Sequence, residues 1–210
     1  MSVETLTAPI VALPPPRQKT SYEEFLALDG EGWAEWVDGE IIAMSPPIEP
    51  HQDLTLFLAT ILRLFVQQNK LGKVIIAPFQ MKLEIRPSGR EPDLLFIKNE
   101  NLARLNSKYL DGPADLVVEV ISPESRARDR GEKFYEYEQS GVPEYWIIDQ
   151  ARKKAEFYVL GADGYYELAN ADQDGIYRSQ AVSGLWLKVA WLWLAPAPDL
   201  MNILIEWGMI

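Results

Sequence analysis

Two acidic side chains stand where acids are expensive. Glu119 interrupts the apolar run Leu116-Val117-Val118-Glu119-Val120-Ile121, and Asp93 follows Pro92 directly at the start of Leu94-Leu95-Phe96-Ile97. A carboxylate in a strand that otherwise buries both faces costs free energy unless something pairs with it. If the two runs are neighbouring strands, roughly 4.8 Å apart, their carboxylates come within reach of each other. Two anions in an apolar cleft repel, and one takes a raised pKa unless a cation intervenes. A hard divalent ion such as Mg²⁺ meets that need, because it favours carboxylate and water oxygens and uses only one or two protein carboxylates. Held there, it could polarise a phosphoryl oxygen and activate a water.

Three further residues are candidates for the same chemistry. Lys133 shares a helix face with Tyr137 at i, i+4 spacing. Its ammonium could orient the water and stabilise charge on an attacked phosphate. His51, the only histidine, follows Pro50 at the start of an amphipathic segment and could contact a water or a phosphate. Glu35, in Trp33-Ala34-Glu35-Trp36-Val37-Asp38-Gly39-Glu40, offers another carboxylate. Each has a plain structural alternative. Asp93 could be a capped, partly exposed strand start, and Glu119 could pair with Arg126 or Arg128. Lys133 could be a solvated helix lysine among Arg130, Glu132 and Glu136. His51 and Glu35 could be exposed residues of a helix start and a hairpin. A carboxylate pair also serves glycoside hydrolysis, which makes no use of Lys133.

The elements that must position these groups can be read in order. Residues 1–19, with Pro14-Pro15-Pro16, form an extended or flexible arm. Ser21 and Glu24 have capping-box spacing before a short helix that Asp29-Gly30 ends. Asp38-Gly39 predicts a hairpin. Apolar residues from Leu54 to Val66 fall on one helical face within 51–69. Lys73 to Ile85 reads as one strand with a bulge or edge at Pro78, followed by a turn at Pro87-Ser88-Gly89. Pro92 to Ile97 is the antiparallel partner of that strand. A polar loop over 98–113 leads to the strand of Glu119, the helix of Lys133 and the strand Glu144 to Asp149. A hairpin over 154–168 and a tryptophan-rich run follow. Residues 20–195 form a single domain and 196–210 a C-terminal tail.

Composition bounds the possibilities. The chain has 210 residues, 48% of them hydrophobic, and a net charge of −11. That is the profile of a globular protein, and it argues against a general nucleic-acid binder, whose affinity comes mostly from neutralising phosphates. A local site is not excluded by net charge. The absence of cysteine removes thiol nucleophiles, zinc–thiolate sites and disulfides, and fits a reducing cytoplasm. No signal segment or membrane-spanning run is evident, so a cytoplasmic protein with no membrane partner is expected.

In order and spacing, several motifs resemble the Uma-type putative restriction endonuclease family of the PD-(D/E)XK nuclease superfamily. They are Val37-Asp38-Gly39-Glu40, Met44-Ser45-Pro46-Pro47, His51-Gln52, Pro92-Asp93-Leu94-Leu95-Phe96-Ile97, Asp115 to Pro123, Asp129-Arg130 with Lys133, Tyr137, and Gly141 to Asp149. The resemblance spans roughly residues 20 to 195. It implies a restriction-endonuclease-like α/β core, a mixed sheet flanked by helices. It also implies Mg²⁺-dependent hydrolysis of DNA phosphodiesters, with Mn²⁺ as a substitute. Asp93 and Glu119 match the metal-binding acids. Ile121 stands where the superfamily lysine would be, and the resemblance points to Lys133 as its relocated counterpart. Cutting both strands of a duplex implies a homodimer. A nuclease fold that no longer cuts and acts as a binding or regulatory module is the alternative.

Overall fold

Ser21 and Glu24 close the expected capping box at the start of α1 (Tyr22–Ala27): Ser21 N–H donates to Glu24 Oε2 at 2.7 Å and Glu24 N–H to Ser21 Oγ at 3.1 Å. The computed structural model describes residues 19–28, 33–122 and 125–210. The arm, apart from Lys19, and the helix stop at Asp29-Gly30 lie outside the described residues. β1 (Ala34–Val37) and β2 (Glu40–Ala43) form the hairpin around Asp38-Gly39. Both turn residues have positive φ, 50° and 87°, which the tight two-residue turn of a twisted hairpin requires. α2 (Glu49–Gln68) then buries Leu54, Phe57, Leu58, Ile61, Leu62, Phe65 and Val66 along one face. Pro50 sits in its first turn, where a missing N–H costs nothing.

The segment from Lys73 to Ile85 departs from expectation. It is two strands, β3 (Gly72–Ile76) and β4 (Gln80–Leu83), in different sheets. Pro78 lies between them, and a residue with no ladder donor marks a break as readily as a bulge. Ser88 and Gly89 are not a turn either. They belong to β5 (Ser88–Arg90), antiparallel to β4 and β1. A Ser-Gly-Arg strand carries no apolar alternation, because its burial is polar.

β6 (Leu94–Lys98) pairs antiparallel with β3. A 3-10 turn at Asn99–Arg104 leads to β7 (Tyr109–Asp111), which joins β4 in parallel. The central unit is β8 (Leu116–Val120), the short α3 (Arg126–Asp129), α4 (Glu132–Ser140) and β9 (Glu144–Asp149), with β8 and β9 parallel. Gly141, at φ 78°, supplies the left-handed cap that ends α4. β10 (Lys154–Leu160) and β11 (Tyr166–Ala169) form the expected hairpin. β12 (Ile176–Arg178) and β13 (Trp186–Lys188) make a small ribbon before α5 (Leu200–Glu206).

The main sheet has the order β11-β10-β9-β8-β6-β3, and the second β2-β1-β5-β4-β7. Strands β6, β8 and β9 bury both faces, which explains their nearly continuous apolar runs. Side chains alternate between two cores. Leu94, Phe96, Val118 and Trp146 pack toward α2, where Trp191 and Ile203 join them. Leu95, Val117 and Ile147 pack on the opposite face with Tyr137 of α4 and with Met81 and Leu83 of the second sheet. Glu119, two residues after Val117, therefore points to the α4 side. Residues 196–210 carry α5, and Trp207 meets Phe65 of α2 edge-on with ring centroids 5.2 Å apart.

Candidate active site

The register of β6 and β8 brings the two acids together. Leu94 faces Val118, so one step further Asp93 faces Glu119, at the C-terminal end of β8. Asp93 Oδ2 accepts the Val120 N–H at 2.7 Å and lies 3.2 Å from His51 Nε2. Glu119 Oε1 accepts from Lys133 Nζ at 2.7 Å and from the Tyr137 hydroxyl at 3.0 Å. Among the described residues its second oxygen accepts no hydrogen bond. Both acids line a cavity of about 290 Å³, together with His51, Glu91, Asp129 and Lys133.

The lysine on α4 thus reaches the strand. It is only 1% exposed, so it is not a solvated helix lysine. Its ammonium also meets Glu35 Oε1 at 2.9 Å and Asp129 Oδ1 at 3.7 Å. Glu35 is fully buried, not an exposed hairpin residue. Its other oxygen takes Arg90 Nη1 at 3.0 Å, and Arg90 in turn holds Glu136 at 2.6 Å and Glu132 at 3.1 Å. Glu35 therefore locks Lys133 in place from behind, outside the cavity lining. The charge on α4 is not solvated either, since Glu136 is buried and also accepts from Ser88. Neither arginine considered as a partner for Glu119 takes that role: Arg126 holds Asp149 at 3.0 Å, and Arg128 lines the cavity.

Burial and like charge set the electrostatics. Burial pushes the Glu119 carboxyl up to about 8; Asp129, Asp93 and Glu35 add to the rise and Lys133 opposes it. Burial also raises Asp129, again against Lys133. Glu35 goes the other way. Burial works to raise it, but Lys133 and Arg90 together bring it down to about 2. Lys133 is held charged well above its usual range, because the three carboxylates outweigh its burial. His51 is raised by Asp93 despite its burial. One buried cation thus serves three buried acids, and Glu119 is left short of positive charge.

Among the described residues, no group of three or more His, Cys, Asp or Glu is arranged to hold a metal ion. A hydrated Mg²⁺ asks for less, one or two carboxylates with waters filling the remaining positions. Asp93 and Glu119 are the pair that would supply them. Asp129 Oδ1, Glu91 Oε2 and His51 Nδ1 are buried without hydrogen-bond partners, and these residues line the same cavity. Such atoms need partners, and water around a cation provides them. The donor set fits the ion.

Glu91 and Arg90 do not stand out in the sequence, and Asp129 enters there only through the Asp129-Arg130 motif, with no role of its own. Asp129 carried a usable signal, its i, i+4 spacing to Lys133. Glu91 burial pushes its carboxyl up to about 6, yet in sequence it is an ordinary charge beside a proline.

A solved structure shares this architecture. It is described as a putative nuclease belonging to DUF820 from Anabaena variabilis, and it superposes with a TM-score of 0.68 at 17% identity, over 81% of this chain and 95% of that one. The fold is that of the restriction-endonuclease-like nucleases, a mixed α/β core flanked by helices. The Uma2 family, described as "Putative restriction endonuclease", matches residues 22–190, and the chain belongs to it. Two proteins of Synechocystis, each described as uncharacterized, are relatives. One is 28% identical over 160 residues, covering 74% of this chain and 82% of its own length. The other is 26% identical over 126 residues, covering 60% and 71%. Among the described residues no helix is long and apolar enough to cross a membrane.

Proposed function

We propose that the protein is a Mg²⁺-dependent endonuclease that hydrolyses DNA phosphodiester bonds. The observation that carries this reading is the meeting of Asp93 and Glu119 at adjacent strand ends with Lys133 Nζ 2.7 Å from Glu119. Asp93 and Glu119 are the residues that would hold the cation, and Mn²⁺ would substitute for it. The cation supplies Lewis acidity toward the phosphoryl oxygen and makes a water more acidic. Lys133 fixes one oxygen of Glu119, which leaves the other turned to the cavity. Its charge also lowers the energy of the extra negative charge that builds on the attacked phosphate. Tyr137 holds the same Glu119 oxygen, and Glu35 with Arg90 keeps the lysine from swinging away. His51 orients Asp93 through Nε2.

The test is nicking of plasmid DNA in Mg²⁺ by the protein and by Glu119→Ala. The wild type cuts and the variant does not; equal activity in the two removes the assignment. The net charge of −11 favours a second reading, a binding or regulatory module that keeps the fold without cutting. Calorimetric titration with Mg²⁺ or Mn²⁺ separates them, since a module of that kind shows no cation binding. Duplex cleavage at two strands would call for a homodimer, and light scattering at micromolar concentration gives the mass.

A further inference from the structure

The cavity that holds the carboxylates has a second chemistry. Trp33, Met44, Pro46, Pro47 and Ile48 also line it, contributed by the residue before β1 and the loop after β2. This apolar lining has no part in holding a cation or orienting Lys133. Arg128 lines the cavity as well, and its Nε is buried without a hydrogen-bond partner. The other arginines around the site are engaged. Arg126 and Arg130 hold Asp149, Arg130 also holds Glu156, and Arg86 and Arg90 hold carboxylates of the hairpin and α4. Among the described residues Arg128 has no carboxylate within 4.0 Å. Its charge is felt through space by Asp129 and Glu35. A guanidinium in a cavity rich in acids but without a close ion pair is placed for an anion that arrives with its own cation, and its fork suits phosphate oxygens.

Resting on the phosphodiesterase reading above, we propose that the cavity takes one unpaired nucleotide of a DNA strand. Its base lies against Trp33, Met44 and the two prolines, and its phosphate lies at Arg128 beside Asp93 and Glu119. The substrate class is single-stranded or locally unpaired DNA. Size agrees, because about 290 Å³ holds a group of small-molecule dimensions and not a stacked base pair with both backbones. Charge agrees too. Duplex binding draws on many neutralised phosphates, which a chain of net charge −11 with its nearby arginines already paired supplies poorly. Stacking of a base on an aromatic or apolar surface needs no such charge. An unpaired strand also needs one site per cut, so this substrate does not require a dimer.

The experiment is fluorescence anisotropy on the full chain, with Ca²⁺ in place of Mg²⁺ so that the probes stay intact. Three labelled probes of equal length are compared: an oligothymidylate, a fully abasic strand and a duplex. The oligothymidylate binds about tenfold tighter than either of the others. Trp33→Ala lowers its affinity to that of the abasic strand, whereas Trp33→Phe keeps most of it. Arg128→Gln weakens the oligothymidylate and the abasic strand alike and makes the salt dependence shallower. A duplex or abasic strand bound as tightly as oligothymidylate by the wild type overturns the proposal with no variant needed. Cleavage in Mg²⁺ of a labelled single strand and of the matching duplex keeps the two claims apart. Cleavage without preference for unpaired strands sinks the nucleotide site alone, and preference without cleavage sinks the endonuclease reading alone.

Discussion

Two buried glutamates on neighbouring parallel strands have opposite fates. Glu144 begins β9 and Glu119 lies near the end of β8, so they sit at opposite ends of the main sheet. Glu144 accepts five hydrogen bonds, all from neutral donors. Trp146 Nε1 and the Tyr177 hydroxyl reach Oε1 at 2.6 and 2.8 Å, while Ser179 Oγ and the N–H groups of Gln180 and Ala181 reach Oε2 at 2.6 to 2.9 Å. Its lone pairs are occupied and it ties the segment around β12 to the sheet. Glu119 has two donors, both on one oxygen, and a cavity at the other. Its neighbours include three more acids that raise its pKa. Burial alone therefore does not set Glu119 apart from Glu144. What distinguishes Glu119 is incomplete satisfaction next to space and like charge.

That contrast can be broken, and the sharpest attempt is Glu119→Gln. It should lower Mg²⁺-dependent cleavage about a thousandfold, the scale of losing a group aimed at transition-state charge. Its stability should stay within about 1 kcal/mol of wild type, since the amide keeps the side chain's shape and an oxygen to accept from Lys133 and Tyr137. Nicking rates and urea unfolding check the pair, and a severely destabilised but active variant would reverse the roles. Lys133→Met comes next. It strands Glu35, Glu119 and Asp129 around an apolar side chain and should cost about 4 kcal/mol in urea, because removing one partner of a buried ion pair leaves uncompensated charge. Glu144→Ala should cost about 3 kcal/mol by leaving buried donors unpaired. The folded fraction should keep its cleavage rate, and loss of specific activity without loss of stability would place Glu144 in the site.

The smallest effect is a pH dependence. Glu119 is pushed from 4.5 when unfolded to about 8 when folded, so between those values the folded state binds the extra proton. Its contribution to stability is fully present below about pH 4.5 and declines as pH rises toward 8. Glu35, depressed to about 2, acts in a separate window: its stabilisation is present above 4.5 and lost as pH falls through 2. Urea midpoints measured in chelator between about pH 5 and pH 8 should fall; Glu91, raised to about 6, adds to the lower part of the decline, and Glu119→Gln should flatten the upper part. Saturating Mg²⁺ should flatten it as well, by displacing the proton. A slope between about pH 6.5 and pH 8 unchanged by Glu119→Gln would mean that Glu119 is not the group titrating there.

Much of this molecule was legible in its residues. The capping box at Ser21, the Asp38-Gly39 hairpin, the face of α2 and the unit from β8 to β9 are local patterns, each written within a few consecutive residues. Asp93 and Glu119 stood out for the same reason, as charges breaking apolar runs. The break between β3 and β4 was misread because one proline signals a bulge, an edge or a stop alike, and only competing sheets choose among them. Glu35, Arg90, Glu136 and Lys133 resembled surface charges, since a sequence shows a charge but not its partner. Arg90 and Glu35 are 55 residues apart and meet only when β5 pairs with β1. The sequence by itself determined the elements written in local patterns and which carboxylates are costly. The tertiary structure alone decided that Lys133 reaches Glu119 from the next helix and that Glu35 holds it there. Periodicity is a property of neighbours along the chain, whereas ion pairing is a property of neighbours in space.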